Sequence, residues 1–210
     1  MGKINGLEDI HRVPPKVCQM YKAVIQMLEQ GVDAGSIHVS DITEKAGIGK
    51  GTAYEYFDTR EEIVACAIVY HVQWLFEWLE NALMERESFR EQLFFLLDEI
   101  EKKDGCKNGF LRFVHMMTDN SEFSQVVREK MTSGELAMRL PGSVFERILK
   151  RGVENGELRS DMPMAYMIYC LFSHLVTYML TVTSGERFHT DTATMRALVC
   201  RGVLNEIGRK

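Results

Sequence analysis

The chain has 210 residues, 46% of them hydrophobic, enough to bury a real core in one large or two modest domains, and nothing in the composition suggests disorder. Its net charge of −5 excludes a broadly basic nucleic-acid binder. Residues 1–60 alone carry seven Lys and Arg against eight Asp and Glu, so any DNA binding there must come from local placement of a few side chains. Cys18, Cys66, Cys106, Cys170 and Cys200 are widely spaced with no Cys-x-x-Cys pair, which suggests a reducing compartment. The opening MGKINGLEDIH lacks the apolar run of a signal peptide, and a soluble, cytoplasmic protein is expected.

Helix formers dominate, no hairpin dipeptide sits between alternating apolar residues, and the all-α class follows. Pro14 and Pro15 fit the first turn of a helix over 16–30, with Val17, Met20, Tyr21, Val24, Met27 and Leu28 on one face. Gly31 ends it. A short helix over 39–46 points Ile42 and Ala46 inward, Gly47 supplies the turn, and 51–57 forms a third short helix. Thr59, followed three residues later by Glu62, reads as a cap for a long helix over 60–84. Further helices are expected over 88–103, 107–118, 120–133 and 142–155, the last closed by Gly156. Asp161 is expected to cap a very apolar helix over 162–183, and Asp191 or Thr192 a final helix ending near Gly208. The run 165–180 carries Ser173, His174 and Thr177 and is too short and polar for a membrane span, so a buried helix is expected.

The stretch GIGKGTAYEYF, residues 47–57, explains itself as the second half of a helix-turn-helix. A helix lying in a DNA groove needs a start small enough for close approach and polar enough to bond phosphates and base edges. Gly49, Lys50, Gly51 and Thr52 meet both needs, and the Tyr54 and Tyr56 hydroxyls extend the reach. Arg60 opens the next helix, whose positive end also favours a phosphate. Read blandly, the same residues are a surface turn in an unrelated bundle.

The longer stretch VSDITEKAGIGKGTAYEYFDTREEIV resembles the DNA-binding signature of tetracycline-repressor-type (TetR family) transcriptional regulators, and the likeness spans about residues 15 to 65. The ENGELRSD stretch, the chain length and the helix count are also similar. The resemblance implies a three-helix DNA-binding domain over 1–60 joined to a larger helical ligand-binding and dimerisation domain over 61–210. It places Ser40, Lys50, Gly51, Thr52, Tyr54, Tyr56 and Arg60 where the family touches DNA. There are departures. Gly49 replaces a usual serine, Glu55 and Asp58 bring acids towards the DNA, and His38 replaces a threonine cap, leaving Ser36 or Ser40 to cap.

The resemblance also implies dimerisation through the last two long helices and a small-molecule effector. Independently, the helix over 162–183 is apolar nearly all round and must bury more than one face, with the last helix as its companion. Trp78, Phe113, Met117, His174 and Tyr178 are the ligand-binding candidates, in an adaptable cavity of aromatic and methionine side chains for a largely apolar effector. Each also reads as plain core. Enzyme readings find little support: the one Glu-x-x-His spacing, Glu186 to His189, lies beside Gly185 in an expected loop. No metal site or cofactor is expected, and Cys106 between Lys103 and Lys107 is a candidate thiol sensor that reads more simply as an inert cysteine. The function expected is a dimeric one-component repressor of a pseudo-palindromic DNA operator, with no membrane partner. The alternative is a helical small-molecule sensor with little DNA-binding activity.

Overall fold

A computed structural model of the protein describes residues 12–102, 141–188 and 191–209, and among these it is helical throughout. They fall into two compact units, one holding residues 12–75 and the other 76–102, 141–188 and 191–209.

In the first unit, α1 (Pro15–Glu29) starts on Pro15, whose missing N–H costs nothing in a first turn. It buries Val17, Met20, Tyr21, Val24 and Met27, as the spacing predicts, and adds Ala23 and Ile25; Leu28 is only partly covered. A single 3-10 turn (Ala34–Ser36) leads into α2 (Val39–Ala46). The cap of α2 differs from both serine candidates. Asp41 reaches back and accepts the His38 N–H at 2.9 Å, while the Ser36 hydroxyl donates to the Asp33 carbonyl at 2.8 Å and Ser40 already lies inside the helix.

Gly47 ends α2 at φ 67°, a left-handed conformation that a Cβ would strain. The Ile48 N–H reaches the Thr43 carbonyl at 2.9 Å and the Gly47 N–H that of Glu44 at 3.1 Å, so a Schellman turn satisfies the last carbonyls. Next come α3 (Lys50–Tyr56) and α4 (Arg60–Met84). The Thr59 hydroxyl accepts the Glu62 N–H at 3.1 Å, as expected, and the Glu62 carboxylate accepts the N–H of Asp58 at 3.0 Å. Tyr21 lies between Phe57 (ring centroids 6.0 Å) and Tyr70 (5.1 Å), joining α1, the end of α3 and α4 in one aromatic core. Burial, and then contact with the Cys66 thiol, push the Tyr21 hydroxyl far above the ordinary phenol range, so it stays protonated.

In the second unit, Ser88 and Glu91 form a reciprocal capping box for α5 (Phe89–Glu101): the Glu91 N–H donates to the Ser88 hydroxyl at 3.2 Å and the Ser88 N–H to the Glu91 carboxylate at 3.3 Å. Then come α6 (Pro141–Glu154), α7 (Met164–Phe188) and α8 (Thr192–Ile207). Gly156 at φ 74° closes α6, as expected, and the chain then pairs for one step with the far terminus, Arg159 N–H to the Ile207 carbonyl at 2.9 Å and Arg209 N–H to that of Glu157 at 2.8 Å. Asp161 does not cap α7. Its carboxylate binds the Arg159 guanidinium at 2.7 and 2.9 Å, and α7 starts two residues later than expected, after Pro163. Asp191 caps α8 by accepting the Thr194 N–H at 2.7 Å.

α7 packs against α5, α6 and α8 and is longer than the apolar run suggested, with a break in helical geometry at Ser184. Met164–Ser184 is long and apolar enough to cross a membrane by length and composition, with a mean hydropathy of 1.4, but Leu171, Leu175, Tyr178 and Met179 are buried against its neighbours. It is not buried all round. Tyr166, Tyr169 and Leu180 stay exposed, and so does Leu198 on α8.

Candidate nucleic-acid interface

The spacing of Ala53 and Phe57 decides how α3 sits. Both are buried, at 0% and 1% exposure, and four residues apart they share one side of the helix. The small Ala53 lets α3 lie close to the body of the domain, and Phe57 fastens its end beside Tyr21. The rest of the helix is left free: Lys50, Gly51, Tyr54 and Glu55 are exposed, and Thr52 and Tyr56 are half-buried. Tyr54 and Tyr56 are therefore not equivalent. Two residues apart on a helix they do not share a face, and Tyr54, half of whose surface meets solvent, is the outward one.

The glycines are informative through what surrounds them. A Cβ built on Gly49 or on Gly51 would meet no atom within 4 Å, and neither residue has a positive φ. Nothing inside the protein requires a glycine at either place. Their smallness faces outward, where another molecule's backbone can approach.

Ser40 lies half-buried at the second position of α2, where its carbonyl accepts the Thr43 hydroxyl at 3.1 Å. Arg60 turns inward. Its guanidinium donates to the carbonyls of Ala34 (3.2 Å), Gly35 (2.7 Å) and Ile37 (3.1 Å), and its other edge binds the Glu61 carboxylate at 2.6 and 2.9 Å. The Arg60 hydrogen bonds hold the Glu61 carboxyl below its ordinary range. Sequence reasoning had no signal for the three carbonyls, since a backbone acceptor leaves no mark on residue type.

The effector candidates in the second unit engage separate partners. Trp78 is half-exposed and tilts against Phe95, with ring centroids 6.0 Å apart. His174 places Nδ1 at 2.8 Å from the Cys170 carbonyl, and its Nε2 would lie 2.6 Å from a Cβ on Gly202, so the imidazole fills the space that glycine leaves between α7 and α8. Tyr178 is buried and donates its hydroxyl to Glu101, which shares the Arg196 guanidinium with Asp98 at 2.6 Å each. Phe113, Met117 and Cys106 lie outside the described residues, as does His189.

The Tyr178 hydrogen bond, and then Arg196, hold the Glu101 carboxyl below the usual carboxylate range, while burial pushes the Tyr178 hydroxyl up. A carboxylate with a depressed folded value stabilises the protein above its unfolded value of 4.5, and that contribution is lost as pH falls through the folded one. Tyr178→Phe should therefore lower the unfolding temperature at pH 7, and the gap from wild type should narrow as pH drops below 4.5. Melting curves at pH 7 and pH 3 check this; a gap of the same size at both pH values would assign the effect to packing alone.

A short helix seated by Ala53 and Phe57, joined through a Schellman turn to α2 and presenting Lys50, Gly51 and Tyr54 outward, defines a helix-turn-helix protein of the DNA-binding class. Residues 22–66, from α1 to the first turns of α4, match the profile of bacterial regulatory proteins of the tetR family. The helix-turn-helix segment of the chain is thus similar to that of tetR-family regulators. It is similar to the fatty acid metabolism regulator protein of Bacillus subtilis (strain 168), at 24% identity over 151 residues, 70% of this chain and 73% of the relative. The fold is shared with the transcriptional regulator FadR from Bacillus subtilis in complex with stearoyl-CoA (TM-score 0.63, 17% identity, 89% of this chain and 96% of that one). It is shared too with a choline-bound protein of Saccharomonospora viridis (TM-score 0.68, 14% identity, 92% and 98%).

Proposed function

We propose that the protein is a cytoplasmic, homodimeric one-component repressor that binds a pseudo-palindromic operator and is released from it by a small, largely apolar effector. The observation that carries this reading is the outward face of α3, where Lys50, Gly51 and Tyr54 stand free of the core. Residues 1–60 form the DNA-reading domain and residues 61–210 the effector and dimerisation domain. Lys50, Gly51, Thr52 and Tyr54 meet the major groove, with Ser40 and Tyr56 at its edges. Two exposed aromatic residues on α7, Tyr166 and Tyr169, with Leu180 and with Leu198 on α8, support dimerisation through these helices, since a partner copy would cover them. Two-fold symmetry of the dimer then requires a two-fold operator.

The relatives support the effector class. One regulates fatty acid metabolism and a related fold holds stearoyl-CoA, so a long acyl chain is the first effector to try. An effector acts by binding more tightly to the dimer that misfits the operator, and it shifts the equilibrium only by that difference.

Gel-shift titration of the protein against the DNA upstream of its own gene tests the reading, together with a scrambled duplex at the same salt. Lys50→Ala should weaken binding to both duplexes and lower the slope of log affinity against log salt by about 1, the value for one phosphate contact. An unchanged slope would remove Lys50 from the phosphates.

A further inference from the structure

The resemblance to the family places Arg60 on the DNA, but the structure gives its guanidinium a different task. Five of its hydrogen bonds stay inside the protein: three to the carbonyls of Ala34, Gly35 and Ile37, and two to one oxygen of Glu61. Its side chain is only 24% exposed. We propose that Arg60 is a positioning residue for operator binding: it clamps the turn before α2 to the first turn of α4 and so fixes where α2 and α3 stand. The inference rests on the operator-binding reading above and deepens it.

The turn needs such a clamp. Residues 30–38 join α1 to α2 and contain one short 3-10 turn, whose Ser36 N–H bonds the Asp33 carbonyl at 3.0 Å. The carbonyls of Ala34, Gly35 and Ile37 converge on one guanidinium nitrogen, lying 26, 25 and 23 residues from it in sequence. Ile37 itself is buried at 1% exposure, and the next residue, His38, is the N-cap of α2. α2 in turn carries α3 through the Gly47 turn. A displacement at Ile37 therefore passes directly to the helix that meets DNA.

The geometry also explains why the residue is arginine. The planar fork presents its Nε–Nη2 edge to a carboxylate while Nη1 reaches a set of carbonyls at the same time. A lysine supplies the same charge from a single point and lacks the two edges. At an exposed phosphate contact a lysine would keep the charge, and with it the salt dependence and most of the affinity, even where a second hydrogen bond is lost.

That difference sets the test, which uses the full-length protein with Arg60→Lys and Arg60→Gln. Operator affinity at fixed salt should fall about tenfold in both variants, the scale expected when hydrogen bonds to a charged group are broken. The salt slope should match wild type in both, and amide hydrogen exchange over residues 33–41 should be faster in both without DNA. A phosphate contact would give the opposite pattern: Arg60→Lys binding like wild type, Arg60→Gln losing about 0.9 of slope, and exchange unchanged. That outcome overturns the proposal, and so does wild-type affinity in both variants. If wild-type protein binds no duplex, the operator reading fails, and exchange alone then judges the clamp; unchanged protection over 33–41 overturns it.

Discussion

Phe57→Ala should destabilise the protein by about 3–5 kcal/mol, the range for deleting a fully buried phenylalanine ring. Phe57 is 1% exposed and packs beside Tyr21, which in turn contacts Tyr70 on α4. Removing the ring takes away its transfer energy and leaves a cavity where three helices meet, with little freedom to collapse around the Tyr21 hydroxyl. For a chain of this size each kcal/mol lowers the unfolding temperature by about 2–4 °C, so the shift should be plain in a melting curve. The site of the damage also matters. Ala53 and the half-buried Thr52 and Tyr56 would then hold α3, and operator binding should fail at temperatures where circular dichroism still reports a helical protein. Urea titration of wild type and variant measures the first effect, and a difference below about 1 kcal/mol would mean that Phe57 is not a core residue. Tyr56→Ala is the useful neighbour. Tyr56 is half-buried, and its loss should cost far less stability.

Most of the helix-turn-helix was legible because each boundary carries its own chemistry. Gly47 and Thr59 are marked by residue type, and α2 ends and α4 begins where those signals put them. The cap of α2 was also encoded, in the spacing of His38 and Asp41, but the expectation of a serine cap hid it. Asp161 misled for a related reason. An Asp before an apolar helix is a good cap, yet the Arg159 guanidinium two residues earlier offers it two hydrogen bonds, and the ion pair won.

What the sequence could not show is long-range partnership. Arg60 reads as a free cation at a helix start, and only the folded chain brings the Ala34, Gly35 and Ile37 carbonyls to it. The same holds for Tyr178 and His174. Both look like polar intruders in an apolar helix and so like ligand contacts. In the structure one donates to Glu101 and the other fills the gap at Gly202, and neither partner is near in sequence. Buried polar groups find partners, and periodicity along a single helix does not say which.

Gly51→Leu should separate folding from DNA binding more cleanly than any other substitution in α3. Nothing lies within 4 Å of a Cβ at Gly51, and its backbone is not in the left-handed region, so the protein itself has room for a larger residue. Leucine also favours a helix over glycine by up to about 1 kcal/mol, and the free protein should be as stable as wild type or slightly more so. On the DNA the outcome reverses. If the face that holds Lys50 and Tyr54 enters the major groove, an isobutyl group between them keeps the helix from reaching the base edges. Each good base contact carries on the order of 1–3 kcal/mol, so losing two should weaken operator binding on the order of 100-fold. Binding to scrambled duplex, which depends on phosphates more than on base edges, should fall much less, so the ratio between the two duplexes narrows. Gly49→Ala gives a graded version at the residue that caps α3, where the space is equally open. Titrating operator and scrambled duplex with each variant at one salt concentration, beside a melting curve, reads both halves. Operator affinity unchanged by Gly51→Leu would place this face of α3 away from the groove, and the two open glycines would then be ordinary surface positions at the start of a helix.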